Sequence, residues 1–521
     1  MARIIQTADL DQAAIEKLTR NEREWIYNGL DCCVTLEVLH EIKPQLDDVS
    51  RPTYEFSKAL QGPFMDMQTR GLLVDQPKRQ RVLSKYLDDI SRLERNLDRI
   101  IVEGVGALLN WRSPKQLGQL LYDVMGIPEV KKRNAQGRYV RTVNRDALEK
   151  LTSYYFGEPI CNHILALRDI DKKRQFLETG IDEDGRMRCN FNISGTKTGR
   201  PASSMSDYST GTNLQNVSHE LREVFVADKG MKFANLDLEQ ADSRNLGALC
   251  WNAFVESKGE EFAGKYLDAC ESEDLHVTVC RMAWPHLAWT GDYDKDFKIA
   301  SEIVYRDMSY RYQAKRLGHG TNFDGRPPTM SKATKIPQSS VKDFQLRYFK
   351  AFPCIKEYHK LVRYLVKEFG FLTTPLGRRR YFFGRPNDDK TIRDAIAYSP
   401  QSMTADEIDQ GIISMWREHK VQMLVQVHDS ILIQYPEEME DEIIPWAVDK
   451  LTLEIPLLRD RTLIVPVEAQ VGWNWGDYID EKEAKKKERE PNLSGLRTYT
   501  RTEDRTRPPM AEPRRLSVRD L

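Results

Sequence analysis

The sequence lacks the devices that would cross-link the chain or anchor it in a bilayer. Its eight cysteines are scattered over 521 residues and none forms a C-x-x-C pair, which argues against a zinc site and a disulfide framework. The nine histidines never take the H-E-x-x-H spacing of a zinc-protease helix. No apolar run approaches the ~18 residues of a membrane span, and the opening Met-Ala-Arg-Ile-Ile-Gln has no signal-peptide apolar region. These absences lead us to expect a reducing, cytoplasmic setting and no membrane partner. Charge of one sign is missing too: the formal net charge is −1. That does not exclude a polyanionic partner, because a local basic lining is enough to bind one. What remains is an ordinary globular balance, 40% hydrophobic and 30% charged, with length for roughly three domain-sized units.

The pattern along the chain is mostly helical. Residues 1–50 read as two short helices with a turn at Asn28-Gly29. Residues 79–103 read as one long amphipathic helix, with Tyr86, Ile90, Leu93, Leu97 and Ile101 on one face and charges on the other. Such a stripe is core packing before it is a partner-binding face. Residues 105–180 stay mostly helical, with loops at Asn110–Pro114 and Lys131–Gly137. Residues 185–240 turn strand-like, and Phe233–Leu236 forms a short strand ending at Asp237. Residues 241–400 are helical with charged loops, and 421–435 read as a hairpin with His-Asp-Ser at its tip. After about residue 480, Lys, Glu, Arg and Pro dominate, the composition of a disordered tail. No internal repeat is visible.

Three constellations carry chemistry. Asp237 ends one strand and Asp429 sits at a hairpin tip, so both carboxylates can project beyond a sheet edge and meet. Two such aspartates suit two Mg²⁺ ions, hard oxygen for hard cations, and two metals roughly 3.5–4 Å apart stabilise both oxygens of a phosphoryl transfer. Either aspartate alone is equally a turn residue. Secondly, Arg311, Lys315, His319 and Phe323 follow at intervals of four, one slowly drifting stripe on a helix. Two cations then two rings suit a ligand with a polyanionic end and a planar end, such as a nucleoside triphosphate. A solvated basic face running into core aromatics would have the same spacing. Thirdly, Leu376-Gly-Arg-Arg-Arg-Tyr381 is a compact basic loop fit for phosphate contacts, as are Lys131-Lys-Arg133 and Lys172-Lys-Arg174. Most such charge runs are solvated surface.

Taken in order, these residues resemble DNA polymerases of the bacterial polymerase I type, family A, from about residue 20 to 478. Ser113-Pro-Lys-Gln-Leu117 and Arg168-x-x-x-Lys172 resemble the family's thumb. Thr198-Gly-Arg200 and Asn213-Leu-Gln-Asn216 resemble the loop that grips primer–template. Leu236–Arg244 resembles motif A, and Asp274-Leu-His276 with the Arg311–Phe323 stripe resembles the fingers and motif B. The Leu376–Tyr381 loop and Pro400-Gln401 resemble later fingers and palm segments, and Val427-His-Asp-Ser430 resembles motif C.

The resemblance implies an α+β right-hand polymerase fold, with an antiparallel-sheet palm and mainly helical thumb and fingers. It divides the chain into 1–50, the C-terminal stub of a 3′–5′ exonuclease-like domain; 51–184, thumb; 185–240, first part of the palm; 241–399, fingers; 400–480, second part of the palm; and 481–521, a charged, disordered tail. It implies addition of dNTPs to a primer 3′-OH on primer–template DNA. Asp237, Asp429 and the Leu238 carbonyl would hold two Mg²⁺ ions. Arg311, Lys315 and His276 would hold the triphosphate, with Lys315 also protonating the leaving pyrophosphate. His319, Phe323, Gln240 and Asp242 would complete the nucleotide pocket. Arg168, Lys172, Arg200, Gln215, Asn216, Arg378, Gln401 and His428 would touch DNA. Of these, Arg200, Gln401 and His428 would lie near the primer terminus or the minor groove, whose acceptors appear on every base pair.

The sequence departs from the family at four places. Asp242 stands where the family usually has Glu, His319 where it has Phe or Tyr, and Phe323-Asp324 where it has Tyr-Gly. In the family that Glu helps exclude a ribose 2′-OH and bonds the Tyr hydroxyl. The expectation here is a rebuilt pair in which His319 holds Asp242, directly or through water. Fourthly, Tyr27-Asn-Gly-Leu-Asp31 resembles only the last of three exonuclease motifs, and a two-metal nuclease cannot be built from Asp31 alone. The expectation is a bacteriophage replicative enzyme, in the host cytoplasm, without its own proofreading. Its partners would be a separate exonuclease chain or other replisome proteins. The alternatives are a gap-filling or translesion polymerase of the same fold, a non-catalytic DNA-binding subunit, and a nuclease acting through Asp31.

Overall fold

The computed structural model describes residues 17–500 except 107, 135, 273, 306, 307 and 488, together with the backbone of 514–515. Helix α1 (Arg20–Ile42) starts at a capping box, in which the Thr19 side chain and the Glu22 side chain each accept from the other's backbone N–H. It runs unbroken through Asn28-Gly29, which corrects the expected pair of short helices: a lone glycine costs a helix about 1 kcal/mol, too little to stop a capped run of 23 residues. None of its residues is buried. Helix α2 (Gln76–Val105) is the predicted long helix, extended at both ends. Asp75 caps it by accepting from Lys78 N at 2.9 Å, and Gly106 closes it at φ 73°. Its stripe is core: Ile90, Leu97 and Ile101 pack with Ile160, Ile164 and Leu167 of α3 (Glu158–Glu178). The segment expected as a loop at Lys131–Gly137 is partly a hairpin, with Lys131–Arg133 paired to Tyr139–Arg141.

Strand β1 (Met231–Leu238) leads into α4 (Ala241–Lys258), and α5 (Leu275–Ala283), α6 (Tyr310–Asn322) and α7 (Asp389–Glu418) follow. Then come β2 (Gln422–Val427), β3 (Ser430–Pro436), β4 (Val467–Gly472) and β5 (Arg497–Thr498). These five strands form one antiparallel sheet in the order β2-β3-β1-β4-β5. Strand alternation sends successive side chains to opposite faces. Ala234, Leu236, Ile431 and Ile433 meet a core with Leu246 of α4 and Met403, Ile408 and Ile412 of α7. Phe233 and Leu432 meet a second core with Phe225 and Trp475. A sheet covered on both faces can project side chains into solvent only at its strand ends, and that is where the hairpin tip and the end of β1 lie.

The polar stretch after residue 480 is not structureless as far as 500, which corrects the expectation for the tail's first part. Leu496 joins the Trp475 core. Asn492 is buried and exchanges two side-chain hydrogen bonds with Asn474, at 2.7 and 3.0 Å. Glu481–Lys487 forms a helix of good helix formers, and long-range partners order Asn492 and Leu496 beyond it. The rest of the predicted tail, 501–521, lies outside the described residues apart from the backbone of 514–515.

Candidate active site

The β2–β3 hairpin turns through His428 and Asp429, with Val427 paired to Ser430 and His428 at φ 57°, the left-handed geometry tight hairpins need. Leu238 N donates to the Asp429 carbonyl at 3.1 Å, tying the tip to the end of β1. Asp237 lies in register with Ser430 on one side and Glu468 on the other. Both aspartates are half-buried, and neither makes an ion pair among the described residues. Burial, then the Asp429 and Glu468 charges, push Asp237 up to about 7, with Lys315 pulling the other way. Burial and then the Asp242 charge push Asp429 up as well. Two half-buried, mutually repelling carboxylates are a donor set that fits divalent metal. No group of three or more His, Cys, Asp or Glu converges to hold a metal among the described residues. The fit therefore rests on two carboxylates and main-chain oxygen.

Lys315 and His319 of the α6 stripe share with these acids a cavity of ≈ 170 Å³, lined also by Leu238, Gln240, Asp242 and His276 among others. Lys315 is exposed and makes no ion pair among the described residues. Arg311 is engaged: its Nε and Nη2 both bond Asp274 Oδ2 at 2.7 Å. Asp274 also caps α5 by accepting from His276 N at 2.8 Å. One acid thus fixes both residues; its position just before the helix was the available signal for that role. Burial drives the His276 imidazole down to about 4, helped by Arg311, Lys315 and His319 and opposed by Asp274, so at neutral pH the ring is uncharged. The His319 and Phe323 rings meet edge-on, centroids 4.7 Å apart. Gln240 enters α4 at φ 54° with its buried Oε1 unbonded.

Several expectations are redirected. Asp242 makes no direct hydrogen bond with His319. Arg200 Nη2 donates to its Oδ1 at 2.9 Å and Thr404 Oγ1 at 2.8 Å. A guanidinium outcompetes a ring whose charge is disfavoured. The Arg378 loop is not an open phosphate cradle. Arg378 turns inward, its Nε and Nη2 on Asp406 Oδ1 at 2.9 and 2.6 Å, while Arg379 reaches Asp47 at 3.2 Å and Arg380 lies over the Phe382 ring. Arg168 donates to the Val143 carbonyl at 2.7 Å. Gln215 bonds Ser203 N, the Pro201 carbonyl and Gln426, so it braces the 198–216 loop from within. Lys172, Asn216 and His428 are exposed and Gln401 is half-buried. Sequence reasoning missed Thr404 and Glu468, because nothing local marks either as a neighbour of the acids.

The family model of DNA polymerase family A matches residues 80–282 and 289–477. The thermostable DNA polymerase I of Thermus aquaticus is 25% identical over 448 residues, covering 82% of this chain and 48% of that protein. DNA polymerase I of Deinococcus radiodurans is 26% identical over 484 residues, covering 88% and 45%. The chain therefore spans about half the length of these curated relatives. The POL domain of Pol1 from M. smegmatis, solved in complex with DNA primer-template and dNTP, superposes with a TM-score of 0.64 at 24% identity, covering 80% of this chain and 69% of that one. The likeness establishes the right-hand α+β fold. With well over half of its residues matched by that family model, the chain belongs to DNA polymerase family A.

Proposed function

We propose that the chain is a DNA-directed DNA polymerase that adds dNTPs to a primer 3′-OH. The observation that carries this reading is one cleft lined by the Asp237–Asp429 pair and by Lys315 and His319 of α6. Asp237, Asp429 and the Leu238 carbonyl hold two Mg²⁺ ions, which supply charge neutralisation at the attacking and leaving oxygens. Lys315, with no ion pair among the described residues, binds the triphosphate and gives a proton to the departing pyrophosphate as the 3′-OH loses one. His276, neutral, contributes a hydrogen bond rather than a charge. Arg311 meets phosphate from its seat on Asp274. His319 and Phe323 offer the flat wall on which the base stacks. Lys172, Arg200, Asn216, Gln401 and His428 face primer–template DNA, while Arg168, Gln215 and Arg378 shape the groove from behind.

The setting we propose is DNA replication of the bacteriophage type, supported by the departures at Asp242, His319 and Phe323. We infer that proofreading is supplied by a separate chain. Asp31 lies on α1, where Trp25 and Tyr27 are 70% and 65% exposed, a surface for a separate exonuclease chain or another replisome protein. Primer extension tests the reading. With Mg²⁺ and four dNTPs, the unsubstituted chain copies a labelled primer to the template end and Asp429→Ala does not. Extension by both rejects it.

A further inference from the structure

A run of hydrogen bonds leads from Asp242 away from the cleft into the interior. Asp242 lines the same cleft as Asp429 and His319 and is the largest charged influence on both. A nucleotide with its phosphates on Lys315 and its base on His319 turns its sugar toward this carboxylate. Arg200 and Thr404 both converge on Oδ1, leaving Oδ2 to the cleft. Thr404 Oγ1 has one proton and two acceptors in reach, Asp242 at 2.8 Å and the Pro400 carbonyl at 3.2 Å. The nearer, charged acceptor takes it. Asn245 Nδ2 donates to the same hydroxyl at 3.1 Å, which fixes its orientation. Behind Asn245 lies Glu407. Asn245 and Thr404 are 0% exposed and Glu407 2%; Asn245 Oδ1 and both Glu407 oxygens have no bond among the described residues. Burial pushes Glu407 up to about 8, helped by the Asp406 and Asp242 charges and opposed by the Asn245 amide. Glu407 therefore carries a proton at pH 7, and that proton is the kind of donor Asn245 Oδ1 lacks among the described residues.

We propose that Glu407, Asn245 and Thr404 form a buried positioning relay that holds Asp242 in one rotamer and thereby sets how the pocket discriminates the nucleotide's sugar. The relay rests on the polymerase reading above. None of the three touches substrate, so a merely structural role would slow all nucleotides alike, whereas the relay changes their ratio.

The test is single-nucleotide primer extension by the full chain, with a deoxy- and a ribonucleoside triphosphate in turn, giving the ratio of their kcat/KM values. Thr404→Val keeps the shape and removes the donor. Its ratio moves toward one by about tenfold, the value of a hydrogen bond to a charged group, and Thr404→Ser restores the parental ratio. Glu407→Gln, neutral and able to donate, keeps the ratio within about twofold. Glu407→Met shifts it as Thr404→Val does, and carries the test should the valine variant not fold. Parental ratios in Thr404→Val and Glu407→Met, from a chain that does extend primers, overturn the relay alone. No extension by the unsubstituted chain overturns the polymerase reading instead.

Discussion

Arg378→Leu is expected to cost the fold and spare the grip on DNA. The guanidinium places two nitrogens on one oxygen of Asp406, with side chains 14% and 8% exposed. Burial pushes Asp406 up while Arg378 pulls it down, and the neighbouring Asp409, also buried, has both carboxylate oxygens unbonded among the described residues. Removing the cation leaves Asp406 without its partner in the interior, which costs about 3–5 kcal/mol. An unfolding entropy of about 2.1 cal/mol/K per residue over this chain gives about 1.1 kcal/mol/K, so Tm falls by about 3–5 °C. Calorimetric melting reads that loss. Fluorescence anisotropy with primer–template, across a salt series, reads the other side: the slope of log affinity against log salt stays parental, because no phosphate contact is removed. Arg378→Met/Asp406→Leu together recover most of the stability, since no lone charge is left inside. A parental Tm with a salt slope shallower by about one would refute the reasoning and restore the open phosphate loop.

Other outcomes follow from the same physics. Folded Asp237 keeps its proton up to about pH 7, against an ordinary value of 3.8, so its contribution to stability is full at low pH and is lost as pH rises through that window. Asp237→Asn should accordingly stabilise the metal-free chain at pH 8 by about 1–2 kcal/mol in denaturant titration, and added Mg²⁺ should raise the Tm of the parent but not of the variant. Lys315→Met should lower single-turnover nucleotide addition about 10²–10⁴-fold, as loss of a general acid does, with primer–template affinity little changed. Gly29→Ala should stabilise α1 by about 0.5–1 kcal/mol, because the added Cβ meets nothing within 4 Å. A turn at Asn28-Gly29 would instead make that variant destabilising by circular dichroism.

What was legible in the sequence was what local spacing controls. The Tyr86–Ile101 stripe told which face of α2 is buried, because a helix repeats every 3.6 residues. The hairpin over 421–435 and its His428-Asp429 tip were readable from two β-rich runs around a short polar break. The four-residue rhythm from Arg311 to Phe323 placed one face of α6. Partner choice was not legible, because it is decided by chain segments far apart in sequence. Asp242 meets Thr404 from 162 positions away, and Arg378 finds Asp406 across a helix–loop junction rather than facing solvent. The same holds for Asn492 and Leu496, whose order comes from Asn474 and Trp475 and not from local composition.

The central claim is that Asp237 and Asp429 hold the reaction centre of a polymerase. Rapid-quench addition of one dNTP to a primer–template, with DNA affinity measured in parallel on Asp237→Asn and Asp429→Asn, tests it most directly. The account predicts that each substitution lowers the rate of addition by about 10³-fold or more, the scale of several kcal/mol of lost charge stabilisation, while DNA affinity stays near parental. Near-parental rates in either variant would contradict it, as would a loss of rate fully explained by lost DNA binding.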